Sequence, residues 1–335
     1  MARNAMGSAD YSHRLGVLQD AQFAAALERN RLGRFVAAAP VVGGLFGQNV
    51  FVTSTDGEFV LRGAPHYDWQ FAAEAFFVDL LHRHTKVPVP WPYCIDATSD
   101  IFGWPYVLMP RMPGINLADP AVRSELSERD KCGVAAALGD TLIDLQALTH
   151  PHYGAYDPAI GTIRAAPGSF ADWAIARNDE WIARCDAASD ALTAADRAWI
   201  ADIVAAARPA LAETGAPTFV HHDYKDGNCT FVRDGDMWRV GGVFDLMECH
   251  FGDGEEDLVR PIQQYSTAGP ARVQAFVDAY RARLPLRAGY PQRLAFYLLA
   301  DQLVFWEYGQ RNHVWFTPGQ SFRAYAEPFF AALPR

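Results

Sequence analysis

The chain is poor in cysteine: five residues in 335, at positions 94, 132, 185, 229 and 249, an odd number with wide spacing. That excludes a disulfide framework and paired Cys-x-x-Cys knuckles, and it suits a reducing compartment. Long apolar runs are missing too. No stretch approaches the roughly eighteen residues a membrane-spanning helix needs, so no membrane partner is expected. Residues 1–10 carry no basic segment followed by an apolar core, and a cytoplasmic protein is the expectation. Basic residues are few: Lys and Arg total 29 against 39 Asp and Glu, a formal net charge of -10. A nucleic-acid partner is disfavoured, because phosphate backbones need clustered cations. The same acidity suits a cationic substrate, or serves solubility alone. The turn Gly43-Gly44-Leu45-Phe46-Gly47 lacks the Lys-Ser or Lys-Thr of a P-loop and matches no dinucleotide fingerprint. There is no Gly-x-Ser-x-Gly elbow for a serine hydrolase.

What is present is an ordinary folding composition, 50% hydrophobic and 20% charged. The length exceeds what one hydrophobic core usually fills, which predicts two lobes. Asp20 is placed to cap a helix running to Leu32, with Phe23 and Leu27 on one face. Three antiparallel strands follow, over 35–42, 49–53 and 58–62, with the turn Thr55-Asp56-Gly57 between the last two. A helix is expected over Tyr67–Thr85, ended by Val87-Pro88-Val89-Pro90, then strands over 93–97 and 105–110. After Pro113-Gly114 the sequence turns Ala- and Leu-rich. Helices are predicted over 127–148, 170–185, 194–213, 272–283 and 292–311. One small β island interrupts them, at Phe219-Val220, Thr230–Val232 and Trp238–Phe244, with the turn Asp234-Gly235-Asp236. The expected division is an N-terminal lobe over 1–112 and a C-terminal lobe over 113–335.

Chemistry concentrates in that island. The apolar pair Phe219-Val220 leads into His221-His222-Asp223-Tyr224-Lys225-Asp226-Gly227-Asn228, a His-x-Asp-x-x-x-x-Asn loop. Phosphoryl transfer explains each part: a carboxylate to hold the acceptor hydroxyl and take its proton, and a nearby amide oxygen to ligate Mg²⁺. Asp223 is the catalytic candidate and Asn228 a metal candidate; the same spacing occurs in the general protein-kinase template. Downstream, Gly241-Gly242-Val243-Phe244 delivers Asp245, a second metal ligand by the same logic. His221, Asp253 and Asp257 are expected to support the loop by hydrogen bonds, and Glu255 and Glu256 to be solvated. His221, His222, Cys229, Cys249 and His250 are all zinc-ligand types, but no pair has a recognised zinc spacing.

These segments resemble the aminoglycoside phosphotransferase family, protein-kinase-like kinases of small molecules that include choline-kinase-like enzymes. The family's His-Gly-Asp-x-x-x-x-Asn loop is similar to His221 through Asn228, and its following acidic segment to Asp245, Gly252-Asp253 and Asp257. Weaker similarities follow in family order: the Val-Leu-Arg strand ending at Arg62, the helix acid Glu74, and the hinge-like stretch from Pro105 to Gly114. The resemblance implies an α+β, bilobal protein-kinase-like fold, with a five-stranded antiparallel N-terminal sheet plus a helix, and a mostly helical C-terminal lobe. It implies ATP or GTP as donor, Mg²⁺ as cofactor, and a nucleotide site at Gly43, Gly44, Gly47, Arg62, Glu74, Met109, Pro110 and Met112. Two positions depart from the pattern: His222 stands where the family usually has glycine, and Arg62 where many kinases have lysine.

The resemblance places the acceptor between the catalytic loop and the C-terminal helices. There Glu248, Asp301 and Glu307 are candidates to hold a cationic acceptor, an aminoglycoside or related antibiotic. A choline-like amino alcohol or other metabolite is the alternative, since Phe296, Tyr297, Phe305, Trp306 and Tyr308 offer aromatic surface. A nucleotide-binding pseudokinase acting as an interaction module is the reading of a different class. No obligate protein partner is indicated.

Overall fold

The computed structural model describes residues 7–41, 47–189, 192–317, 319–331 and 333. These fall into two compact units, each discontinuous in sequence. The first comprises residues 1–134, 157–162 and 226–248, the second residues 135–156, 163–225 and 249–335.

In the first unit the expected five-stranded antiparallel sheet forms, in the order Phe35–Pro40, Asn49–Ser54, Gly57–Gly63, Tyr106–Pro110, Cys94–Asp96. Side chains alternate between its faces. Val50, Val52, Leu61, Tyr106 and Leu108 join Phe23, Ala26 and Leu27 of the helix Asp20–Arg29 in one core. Val107 and Met109 of the same strand face the other way and meet Phe71 of the helix Gln70–His84. Burial on both faces is why 106–109 reads as an unbroken apolar run. The first helix is shorter than expected. Gln19, not Asp20, is its cap, and Gln22 completes a capping box; the helix stops at Arg29. A two-stranded ribbon, Ser8–Asp10 with Val17–Gln19, precedes it and was not foreseen.

The hairpin Cys229–Asp234 with Met237–Val243 also lies in the first unit. Gly241 and Gly242 are required by close approach. A Cβ on Gly241 would sit 2.6 Å from the Pro113 carbonyl oxygen, and one on Gly242 2.5 Å from Met112. Ahead of the hairpin, Asn116 Nδ2 donates to the carbonyls of Gly227 (3.0 Å) and Cys229 (2.7 Å), fixing the turn that carries Asn228.

The second unit is mainly helical, as expected, around the helix Tyr290–Asn312. Its Leu299, Leu303 and Trp306 pack with Cys185, Ile200 and Phe322 from the helices Phe170–Ser189, Ala194–Ala212 and Phe322–Ala331. The β island proves to be two separate sheets. Thr218–Val220 pairs with His250–Gly252 in a four-stranded sheet completed by Gly154–Asp157 and Thr162–Ala165, two strands too short to show a period in sequence. Among the described residues no helix is long and apolar enough to cross a membrane.

Candidate active site

The strand Thr218–Val220 ends at a loop held from below by Asp257. Its two carboxylate oxygens accept the backbone N–H of His221 (2.7 Å) and of His222 (2.8 Å). Burial pushes the Asp257 carboxyl up to about 7. His221 is fully buried, and its ring lies 5.7 Å from that of Tyr224, whose hydroxyl donates to the Leu138 carbonyl (2.8 Å). These contacts turn the loop so that Asp223 is presented at its outer edge, a quarter exposed.

Two cations meet Asp223. Lys225 Nζ reaches both carboxylate oxygens, at 2.9 and 2.7 Å, and Arg260 Nη1 lies 3.1 Å from Oδ1. Burial works against the Asp223 charge, but Arg260 and Lys225 outweigh it and hold the pKa at about 2. Asp223 is therefore an ionised carboxylate at neutral pH.

His222 adopts φ +71, the left-handed region that favours glycine, which accounts for the smaller residue usual at this place. Its ring is tied down: Nδ1 lies 2.9 Å from Glu256 Oε1, while Glu256 Oε2 is 3.3 Å from His250 Nε2. The expectation that Glu255 and Glu256 are solvated is corrected. The 3₁₀ turn Gly254–Leu258 directs both inward, where Glu255 pairs with Arg293 (2.7 Å) and Glu256 with the histidines. Burial disfavours the Glu256 charge, yet His250, His222 and Arg177 together hold its pKa well below the usual carboxylate range. The potential ligand atoms of His222, His250 and Glu256 lie within 4.8 Å of one another, a grouping that linear spacing could not reveal. Arg177 Nη1 stands 3.2 Å from His250 Nε2 and already supplies positive charge there.

In the first unit, Asn228 and Asp245 come together at the open end of the hairpin. Cys229 pairs with Val243, and the Phe244 N–H donates to the Asn228 carbonyl (3.1 Å), so the two residues flank the last rung. Asp245 has φ +66, a second non-glycine residue in the left-handed region, and its side chain is about a third exposed (32%). Backbone strain of this kind persists where the surroundings over-determine it, commonly at functional sites. A carboxylate and an amide oxygen form the hard donor set that Mg²⁺ takes, so the residues present fit that ion.

Arg62 is buried and bridges two carboxylates, Glu74 Oε1 at 2.9 Å and Asp245 Oδ1 at 2.8 Å. Burial alone would lower its pKa; Glu74 and Asp245 reverse this and raise it. Glu74 is itself buried and accepts from the Tyr93 hydroxyl. Of the other nucleotide-site candidates, Gly43 and Gly44 lie outside the described residues. Gly47 has φ +60 and its carbonyl accepts from Ser12 Oγ (2.5 Å). Met109 is buried against Phe71, Pro110 pairs with Phe59 at the strand end, and Met112 lies over Gly242.

Asp301 and Glu307 lie on the helix Tyr290–Asn312, each with an arginine: Arg260 Nε is 2.6 Å from Asp301 Oδ1, and Arg311 Nε 2.7 Å from Glu307 Oε1. Glu248 is exposed and belongs to the first unit. Arg260 is the residue that sequence reading missed; its only signal was its place three residues after Asp257.

Residues 38–297 match the profile of the phosphotransferase enzyme family. Among solved structures, the chain is similar to a thermostable mutant of the aminoglycoside phosphotransferase APH(4)-Ia in ternary complex with ADP and hygromycin B. The TM-score is 0.62 at 15% identity, covering 92% of this chain and 97% of that one. The GDP and kanamycin complex of APH(2″)-IIIa gives 0.60 at 17% identity, over 91% and 93%. A microcompartment-associated aminopropanol kinase gives 0.58 at 16% identity, over 92% and 94%. At these identities the likeness establishes the fold. No curated protein matches the sequence.

Proposed function

Since this chain belongs to the phosphotransferase enzyme family, we propose that it is a kinase moving the terminal phosphoryl group of ATP or GTP onto a hydroxyl of a small molecule. The observation that carries the reading is Asp223: a partly exposed carboxylate met by Lys225 and Arg260, at the edge of a loop whose backbone Asp257 holds, five residues before Asn228. Asp223 accepts the hydrogen bond of the acceptor hydroxyl. As that oxygen bonds to the terminal phosphorus, the bond from phosphorus to the bridging oxygen breaks, the nucleoside diphosphate leaves, and the hydroxyl proton passes to Asp223. Asn228 and Asp245 are the residues that would hold Mg²⁺, which when bound offsets negative charge on the terminal phosphates. Arg62, held by Glu74, is the cation that would meet the same phosphates.

For the acceptor, aminoglycosides are the first class to test, because two neighbours of like fold hold hygromycin B or kanamycin. Amino alcohols come second, on the aminopropanol kinase likeness. The experiment is a screen of ATP and GTP consumption over aminoglycosides, amino alcohols, sugars and macrolides. Acceptor-dependent release of ADP or GDP supports the reading. Nucleotide binding with no turnover on any of them favours a pseudokinase instead.

A further inference from the structure

Arg260 lies in the first turn of the helix Val259–Ser266, which follows the 3₁₀ turn Gly254–Leu258, and is nearly buried, its side chain 14% exposed. It stands between two carboxylates of its own unit, with Nη1 3.1 Å from Asp223 Oδ1 and Nε 2.6 Å from Asp301 Oδ1. The Phe305 ring lies under the guanidinium, 4.5 Å from its carbon. Asp301 and Phe305 are four apart on the helix Tyr290–Asn312, so one helix face supplies both the charge and the apolar floor.

We infer that Arg260 is a positioning residue for the transfer, held by Asp301 and Phe305 so that it keeps the Asp223 carboxylate aimed at the acceptor hydroxyl. The inference rests on the kinase reading above and reassigns Asp301, which acts through Arg260 and not on the acceptor. The geometry separates the two cations at Asp223. Lys225 is a flexible ammonium two residues along the same loop, 34% exposed, and it spans both oxygens. An acceptor hydroxyl reaches the carboxylate when the flexible Lys225 side chain swings aside. Arg260 is a planar fork fixed on three sides and stays. Among the charged and titratable groups near Asp223 are Arg260 from its helix, Lys225 and His221 from the loop, and Asp301 on the other side of Arg260. Without Arg260, the carboxylate is left with a lysine that moves when the acceptor arrives, so its aim is lost and its pKa climbs toward the usual carboxylate range while it stays ionised at neutral pH.

The test is a titration of Asp223 in the full chain, labelled with ¹³Cγ-aspartate, with its signal assigned by Asp223→Asn. In the wild type the signal stays at its carboxylate position from about pH 7 to about pH 3. In Arg260→Gln the midpoint moves up by about one to two pH units. Arg260→Lys restores part of that shift, and Asp301→Asn gives an intermediate one by releasing the guanidinium. Where an acceptor is turned over, kcat falls in the same order while the nucleotide KM holds, and the acid limb of the pH profile moves up with the midpoint. An Asp223 midpoint in Arg260→Gln and Asp301→Asn within about 0.3 unit of wild type overturns the inference. If Arg260→Gln does not fold, Arg260→Lys and Asp301→Asn decide. A wild type that transfers no phosphoryl group defeats the kinase reading, and the titration still decides what Arg260 does to Asp223.

Discussion

Two arginines, one in each compact unit, are built into the same device. Arg62 bridges buried Glu74 to the more exposed Asp245; Arg260 bridges buried Asp301 to the more exposed Asp223. In each case one carboxylate fixes the guanidinium and the other is the group to which chemistry is assigned. They differ in what the paired aspartate does. Asp245 is a metal candidate, so Arg62 shares it with the nucleotide side of the reaction. Asp223 is the proposed base, so Arg260 sets the direction in which its carboxylate points. A buried arginine between two acids costs desolvation that only good geometry repays, and both sites meet that condition with contacts of 2.6–3.1 Å. Finding the arrangement twice argues that it positions functional carboxylates.

The comparison breaks first at Asp223. Asp223→Ala should lower turnover by about a thousandfold or more with nucleotide affinity nearly unchanged, since this carboxylate serves the acceptor. Turnover within about tenfold of wild type would remove Asp223 from its role. Asp245→Ala should weaken Mg²⁺-nucleotide binding as well as rate, which calorimetry with and without Mg²⁺ resolves. Unaltered binding would mean that Asp245 serves only to hold Arg62. Arg62→Ala should raise the nucleotide KM and cut kcat together, and Arg62→Lys should recover part of both by keeping charge without the fork. If both variants match the wild type, Arg62 lies outside the site and Lys225 is the next cation to test against the phosphates.

The smallest expected effect lies under the loop. Asp257→Asn leaves one of two buried backbone donors facing an amide NH₂, for a loss of about 1–3 kcal/mol in stability. Its pH dependence has a definite sign. The Asp257 carboxyl is raised to about 7, above its unfolded value, so its contribution is full at low pH and fades as pH rises. Thermal melts should show the gap between wild type and Asp257→Asn narrowing from about pH 4 to about pH 7. A gap that widens over that window would mean that Asp257 is ionised throughout.

How much of this was legible depended on whether the signal was local. Asp223 and Asn228 are five residues apart in one loop, and Asp245 directly follows a strand whose period is readable. Arg62 and Glu74 sit on adjacent elements, a strand and the next helix. The five-stranded sheet was readable because its strands either alternate, as at 49–54, or run unbroken and apolar, as at 106–109, and its turns carry Gly and Pro. Arg260 gave no such signal, because its partners are 37 residues behind it and 41 ahead, on three elements that only tertiary packing brings together. For the same reason Glu256 read as solvated, when it has a histidine of its own unit beside it. The strands Gly154–Asp157 and Thr162–Ala165 were missed because four residues are too few to show a period.

The most direct measurement is phosphoryl transfer itself: purified protein, Mg²⁺ with ATP or GTP, the acceptor panel, and mass analysis of the acceptor, run beside Asp223→Ala. The account predicts a phosphorylated acceptor and stoichiometric nucleoside diphosphate with the wild type, and neither with the variant. A wild type that consumes no nucleotide with any acceptor, or an Asp223→Ala protein that phosphorylates one equally well, would contradict it.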